Sequence, residues 1–348
     1  MTIKVALIGA GARAVSHMVA LSHLPDVAIV GLADLDTGRA QAAQGRANER
    51  RAPATPPIDA AIFTDYRHLL EAVAPDCLYL CLPPFAHGPI DHDLIDYGQP
   101  ILFEKPVAVE MGLAREIADH VAEAGIINAV GYQKRYSSAV REAVRRLQHQ
   151  TIGMAISIRL SDLPGQPWWR VQAQSGGMLV EQHTHAVDLM RFLCGEIELV
   201  FAVAATRLLN DTPNLDIFDM NACTVRFANG APGMIGNSCA APAGAAIFPP
   251  HLVHVVAHDM VVSVNESKTV IRRPQGEIEE LLPTADDNLL MNQTFIEAVR
   301  TGRQEGILSS FADAVRTLAV TLACQASAEQ GAPIQVEEFM RGTAKDGE

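Results

Sequence analysis

Short β-branched runs alternate with amphipathic stretches through the first third of the chain, and this rhythm restricts the fold more than any other property of the sequence. IKVALIG is followed by the stretch Ala12 to Leu24, and VAIVGLAD by Thr37 to Arg50; DCLYLCLP, ILFEKP and IINAVGY are each followed by a helical pattern. Apolar strands linked by helical crossovers build a parallel sheet covered on both faces. The Pro-rich RAPATPPID between them reads as a surface connector. Near residue 135 the rhythm stops. After a helical stretch from Ser137 to His149 come longer, adjacent strands: TIGMAISIRL, ELVFAVAATR, MNACTVRFANG, APGMIGNSC and HLVHVVAHDMVVSV. The Asn-Gly in FANGAPGM marks a hairpin, so a second, α+β domain with antiparallel strands is expected. At 348 residues the chain is long for one core, and the expected division is 1–130 and 131–348. The tail from Asp287 to Gln330 returns to helices that can pack back on the first domain, with Ser309 or Ser310 as the cap of the last one.

Composition narrows the partners. With 49% hydrophobic and 19% charged residues the chain is of globular type, and no apolar run approaches the ~18 residues of a membrane span. The amino terminus runs straight into glycines without a cleavage pattern, so a cytoplasmic location is expected. Six cysteines lie scattered without a CxxC pair, which points to reduced, buried thiols rather than disulfides or a cysteine zinc site. Forty acidic against 27 basic residues leave a net charge of -13, unfavourable for nucleic acid or an anionic membrane surface. A small molecule is the expected partner.

The first strand, IKVALIG, leads directly into Gly9, Ala10, Gly11, Ala12 and Arg13, with Ala14 in the third glycine position, and this segment opens a helix. Two glycines let a backbone turn tightly against a pyrophosphate whose charge rests at the helix amino end. The second strand ends in Asp34, at the spacing where a carboxylate accepts the adenosine ribose hydroxyls and repels a 2′-phosphate. NAD is thus favoured over NADP, although Arg13 and Arg39 lie close in sequence; the competing reading is an ordinary tight turn beside a solvated acid. A later strand, PILFEKP, ends in Glu104, Lys105 and Pro106, so Lys105 should face the ligand crevice beyond the carboxyl ends of the strands.

Together these segments resemble the Gfo/Idh/MocA family of nucleotide-dependent oxidoreductases over nearly the whole chain. The resemblance rests on IKVALIGAGARA, Asp34, YLCLPPFAHGPI at 79–90, the EKP at 104–106, VGYQKRYSS at 130–138, and the GG…H…D pattern in SGGMLVEQHTHAVDLMRFLCG. It implies a Rossmann domain followed by an α+β domain whose open, predominantly antiparallel sheet often pairs subunits, and hence a homodimer or homotetramer. It also implies NAD contacts from Leu82, Pro83, Pro84, His87, Glu104, Lys105 and Gln133, and a cis bond between Lys105 and Pro106. The family's acid and histidine, four positions apart, fall on Glu181 and His185, and with Lys105 they form the implied catalytic set. Glu181 stands where aspartate is commoner, His183 where a small residue is usual, and the triple glycine is reduced to Gly176 and Gly177.

The segment VEQHTH invites a metal reading, because an extended chain would put Glu181, His183 and His185 on one face. Helical spacing of Ala186, Leu189, Met190 and Leu193, with Gly195 as terminator, opposes it. On a helix Glu181 and His185 share a face and His183 points elsewhere, so no metal is expected. Asp188 reads equally as a structural partner of a neighbouring backbone.

In the implied reaction a secondary alcohol loses hydride to nicotinamide while His185 takes the hydroxyl proton, Lys105 favours the alkoxide, and Glu181 orients the imidazole or a hydroxyl. The two tryptophans of the chain, Trp168 and Trp169, precede Arg170 in GQPWWRVQ and offer a stacking face and a forked donor for a sugar. Tyr132 and His183 complete the expected substrate contacts, while Arg135 reads as lining or structural and His251, His254 and His258 as sheet packing. The expected substrate is a sugar, inositol or similar polyol. Two alternatives stand beside it: an NAD-using lyase or glycosidase without net redox, and a regulatory protein that binds NAD or sugar without catalysis.

Overall fold

The computed structural model describes residues 2–242, 244–245 and 252–342; His251 lies outside them. Two compact units emerge. The first comprises residues 1–107, 116–136 and 285–312, and the second 108–115, 137–284 and 313–348.

In the first unit six parallel strands form one sheet: β1 (Ile3–Ile8), β2 (Val27–Ala33), β3 (Ala61–Phe63), β4 (Cys77–Leu80), β5 (Ile101–Phe103) and β6 (Asn128–Val130). Their order is β3-β2-β1-β4-β5-β6. The chain runs outward from β1 in one direction and from β4 in the other, so the strand order reverses between these two and leaves a crevice beyond their carboxyl ends. Val5, Leu7, Tyr79 and Leu102 are sealed in the core with Ala14, Met18 and Leu21 of the helix Ala12–Ser22 and with Phe295 of the helix Asp287–Thr301. Both faces of the sheet are covered, which is why its strands lack alternation.

The second unit contains a nine-stranded sheet in the order β14-β13-β12-β11-β7-β10-β9-β8-β15 among the described residues. Its strands are β7 (Ile152–Leu160), β8 (Ile197–Ala205), β9 (Met220–Phe227), β10 (Pro232–Ser238), β11 (Val253–Ala257), β12 (Val261–Val264), β13 (Thr269–Arg272), β14 (Ile278–Leu281) and β15 (Ile334–Gln335). All pair antiparallel except β10 with β7. The FANG hairpin forms between β9 and β10, with Gly230 at φ +87° supplying the left-handed turn. HLVHVVAHDMVVSV, expected as one strand, holds in its described residues, 252–264, a hairpin of β11 and β12; the apolar run conceals a turn closed by the Ala257 N–H to the Met260 carbonyl. Alternation is strict on β9 and β10. Cys223, Val225 and Ile235 point inward, whereas Ala222, Thr224 and Met234 are exposed beside Phe201, Val203 and Ile158.

The start of the helix Phe311–Gln330 is tied to β6. Its first N–H is received by Asn128 Oδ1 (2.8 Å), and the Ser309 hydroxyl donates to the Val130 carbonyl (2.7 Å). Arg135 is structural within the first unit, donating to the Leu308 carbonyl (2.7 Å). Because the Phe311 N–H is buried, Asn128→Ala should cost about 1–3 kcal/mol, measured as a lower urea midpoint with unchanged m-value. An unchanged midpoint would show that the cap is dispensable.

Candidate active site

In the first unit the residues expected to hold the nucleotide gather at one edge. The glycine turn follows β1, Asp34 follows β2, Leu82 to His87 follow β4, Glu104 and Lys105 follow β5, and Tyr132 and Gln133 follow β6. Gly9 has φ +91°, and a Cβ there would lie 2.4 Å from the Cys81 carbonyl oxygen. Only glycine permits β1 and β4 to close behind the turn. Gly11 differs, because a Cβ would meet nothing within 4 Å. Gly11 is also the N-cap of the helix Ala12–Ser22 and supplies no side-chain acceptor to the first amides of that helix. A pyrophosphate fits this geometry and its dipole. Asp34 is bound into the turn as well: its carboxylate accepts from the Ala10 N–H (2.9 Å) and the Asp36 N–H (3.0 Å), with Arg39 3.6 Å away.

Glu104 is almost fully buried. One carboxylate oxygen lies 2.7 Å from Arg13 Nε and 2.9 Å from His17 Nε2, and the other accepts from the Lys105 N–H at 3.2 Å. Burial alone would raise its pKa, but Arg13, His17 and Lys105 outweigh that and hold it well below the usual carboxylate range. His17 and Arg13 also reach Asn292 (3.1 Å) and Asn288 (3.1 Å), so the network joins the glycine-loop helix, the end of β5 and the helix Asp287–Thr301. This makes Glu104 an anchor for its neighbour. Lys105 is 8% exposed, and its bond to Pro106 is cis. His87 is enclosed, 2.8 Å from the Asp91 carboxylate, which also receives the Gly88 N–H and so fixes that turn. Tyr132 is buried too, and the Gln133 amide oxygen is enclosed.

The second unit holds Glu181, His183 and His185. The expected single helix is broken: Gly177–Glu181 ends, Gln182 and His183 intervene, and Thr184–Cys194 begins. Glu181 is 7% exposed and accepts from the Gln182 amide, whose oxygen in turn receives Arg159 Nη2 (3.0 Å). His185 is half-buried on the first turn of the second helix. Asp188 is structural: it accepts from the Thr317 hydroxyl (3.0 Å) on the helix Phe311–Gln330. Of the two tryptophans, Trp169 packs with Met178 and Ile217 in a small apolar cluster, and Trp168 leans on it at 5.2 Å and 50°. Among the described residues no group of three His, Cys, Asp or Glu side chains could hold a metal.

His183, expected on the substrate side, is 1% exposed and lies against the sheet. Ser157 on β7 donates to the Leu252 carbonyl (2.6 Å), which leaves its oxygen to accept from His183 Nε2–H at 2.8 Å. Sequence reasoning missed this role because Ser157 is distant in the chain and only the register of β7 brings it there. Burial, reinforced by the Arg159 charge, pushes the His183 imidazole down to about 3. A folded pKa below the unfolded value gives stability that is complete above about 6.5 and lost as pH falls toward 3. His183→Gln should therefore remove about 1.4 kcal/mol per pH unit from the dependence of unfolding free energy between pH 6 and 4. Equal slopes for variant and wild type in urea titrations would contradict this.

Residues 3–132 match the family described as oxidoreductase family, NAD-binding Rossmann fold, and residues 140–259 match the GFO/IDH/MocA C-terminal domain. Among curated relatives, scyllo-inositol 2-dehydrogenase (NAD(+)) of Bacillus subtilis (strain 168) is 24% identical over 282 residues, covering 78% of this chain and 81% of the relative. Inositol 2-dehydrogenase of Rhizobium meliloti (strain 1021) is 29% identical over 245 residues, with 68% and 69% covered. A solved structure of levoglucosan dehydrogenase in complex with NADH and levoglucosan shares the fold with a TM-score of 0.84 at 19% identity, covering 97% of this chain and all of the other. The two matched domains, in this order and on these two sheets, make the chain a member of the Gfo/Idh/MocA family of oxidoreductases with an NAD-binding Rossmann fold.

Proposed function

We propose that the protein is an NAD-dependent dehydrogenase or reductase acting on a secondary hydroxyl of a sugar, inositol or related polyol. The observation that carries this reading is the placement of the glycine turn at Gly11 and of Lys105 beyond the ends of β1 and β5, the two strands that flank β4 in one sheet. Ala10, Gly11, Ala12 and Arg13 present the turn to the pyrophosphate, and Asp34 serves the adenosine ribose. Leu82, Pro83, Pro84 and His87 shape the wall after β4, with Gln133 beyond β6. NAD, when bound, supplies the hydride acceptor. Lys105 holds the substrate oxygen and favours its anionic character, His185 takes the hydroxyl proton, and Glu181 orients its neighbours. Substrate classes named for relatives, inositols and levoglucosan, support a polyhydroxylated ring as substrate.

The exposed apolar side chains Phe201, Val203, Met234 and Ile158 support self-association through the open sheet, as a homodimer or homotetramer. No helix among the described residues is long and apolar enough to cross a membrane. Six unpaired, buried cysteines support a reducing, cytoplasmic setting.

Lys105→Met and His185→Ala should each lower turnover by at least about 100-fold while NAD affinity stays within about twofold. Full activity in either variant, or NAD consumption without stoichiometric NADH, would refute these roles. The glycine turn gives a second test: Gly9→Ala should lower the melting temperature because its Cβ strikes backbone, whereas Gly11→Ala should preserve it and weaken NAD binding. Titration of both variants with NAD distinguishes the two effects, and unaltered affinity in Gly11→Ala would remove the pyrophosphate from this turn.

A further inference from the structure

Trp168, Trp169 and Arg170 belong to a single short turn, Pro167–Arg170, in the second unit. The turn is firmly seated. Ser175 Oγ lies 3.1 Å from the Trp169 carbonyl oxygen, the Arg170 carbonyl receives the Asp216 N–H at 3.0 Å, and the Asp216 carboxylate accepts from the Gln172 N–H. Trp169 packs on Met178, which shares the helix Gly177–Glu181 with the proposed catalytic acid. Arg170 is thus carried on a rigid support joined to Glu181 by packing.

Its guanidinium is left without compensation. Arg170 is half-buried and its Nε is enclosed with no acceptor; among the described residues no carboxylate or carbonyl pairs with the side chain. Two other arginines of this unit are matched by carboxylates, the half-buried Arg146 by Glu142 and Glu279 and the buried Arg191 by Glu196 and Asp313. An enclosed donor without a partner is unfavourable, and a planar fork recovers the loss best from a carboxylate or phosphate held by two parallel hydrogen bonds. A neutral hydroxyl offers neither the charge nor the geometry. In a chain of net charge -13 an anionic substrate also needs a local cation to be held at all.

We propose that Arg170 is a specificity-determining residue that binds an oxyanion carried by the sugar, so that the substrate is an acidic sugar, a uronate, aldonate or sugar phosphate, rather than a neutral polyol. The inference rests on the sugar-dehydrogenase reading above and names its substrate class. In the bound state the ring lies against the Trp168 face and its charged group sits in the Arg170 fork.

The test measures NADH formation by wild type, Arg170→Ala and Arg170→Lys with glucuronate, gluconate and glucose 6-phosphate against glucose and myo-inositol, and binding of the three acids by calorimetry. Wild type should show a higher kcat/KM for at least one acid than for the neutral sugars. Arg170→Ala should raise the KM for that acid about 10- to 100-fold with little change in kcat, and by at least about tenfold more than for the neutral sugars; Arg170→Lys should recover part of the loss. Whether a carboxylate or the phosphate responds identifies the anion. Preference for neutral sugars, or an equal loss on acids and neutral sugars in Arg170→Ala, overturns the proposal. Acid binding that depends on Arg170 without any NADH formation would keep the anion site and reject the dehydrogenase reading. Turnover of neutral sugars alone, untouched by the substitution, would do the reverse.

Discussion

The buried carboxylate of Glu104 is the constraint on which the arrangement of the first unit depends. It lies at the end of β5, and its oxygens are occupied by Arg13 and His17 from the glycine-loop helix and by the N–H of Lys105. Such a charge is tolerated in the interior only when its lone pairs are used, and leaving the partners unmatched costs about 3–5 kcal/mol. The same group therefore fixes the helix whose amino end is proposed to hold the pyrophosphate and the residue before the proposed catalytic lysine. Gly131 is part of this solution, since a Cβ there would fall 2.6 Å from a Glu104 carboxylate oxygen. A nucleotide turn and a lysine from distant parts of the chain are held in register by one ion.

Which features were legible in the sequence follows from the range of the forces involved. The parallel sheet was, because burial on both faces imposes apolar runs at each strand, from IKVALIG to ILFEKP, and crossovers impose the helical stretches between them. The hairpin of β11 and β12 was not, because VAHDMVV remains apolar on both sides of its turn. β13 and β14 were missed as well; each is a strand of four residues, too short for alternation to stand out. The pairing of β7 with β10 is parallel although β9 intervenes in the chain, and nothing local in either strand encodes that. Asn128 as the cap of a helix beginning at Phe311 is likewise a long-range fact, separated by 183 positions.

The segment VEQHTH shows how burial divides residues that look equivalent in a string. His183 and His185 are two positions apart, yet one is sealed beneath Ser157 and the other is half-buried at a helix start. The break at Gln182 and His183 separates them further, because the turn aims the first imidazole at the sheet while Glu181 stays at the end of the preceding helix. A neutral imidazole in the interior gives up proton chemistry in the range where His185 is proposed to use it. The two histidines thus differ in environment: the first is anchored to the sheet at the turn between the short helices, and the second is half-buried beyond it.

Cofactor choice depends on the same kind of local bonding at Asp34. A carboxylate that faces only solvent can rotate away from a 2′-phosphate, so its mere presence would discriminate weakly. Asp34 cannot rotate without leaving the Ala10 N–H of the glycine turn and the Asp36 N–H unpaired, and the first of these belongs to the turn proposed to hold the pyrophosphate. Arg39 is more than half exposed and 3.6 Å from the carboxylate, so its screened charge offsets little of the repulsion. With Asp34 at the ribose as proposed, a 2′-phosphate would meet a fixed negative charge whose displacement would also loosen the turn, and this coupling, rather than the acid alone, favours NAD over NADP.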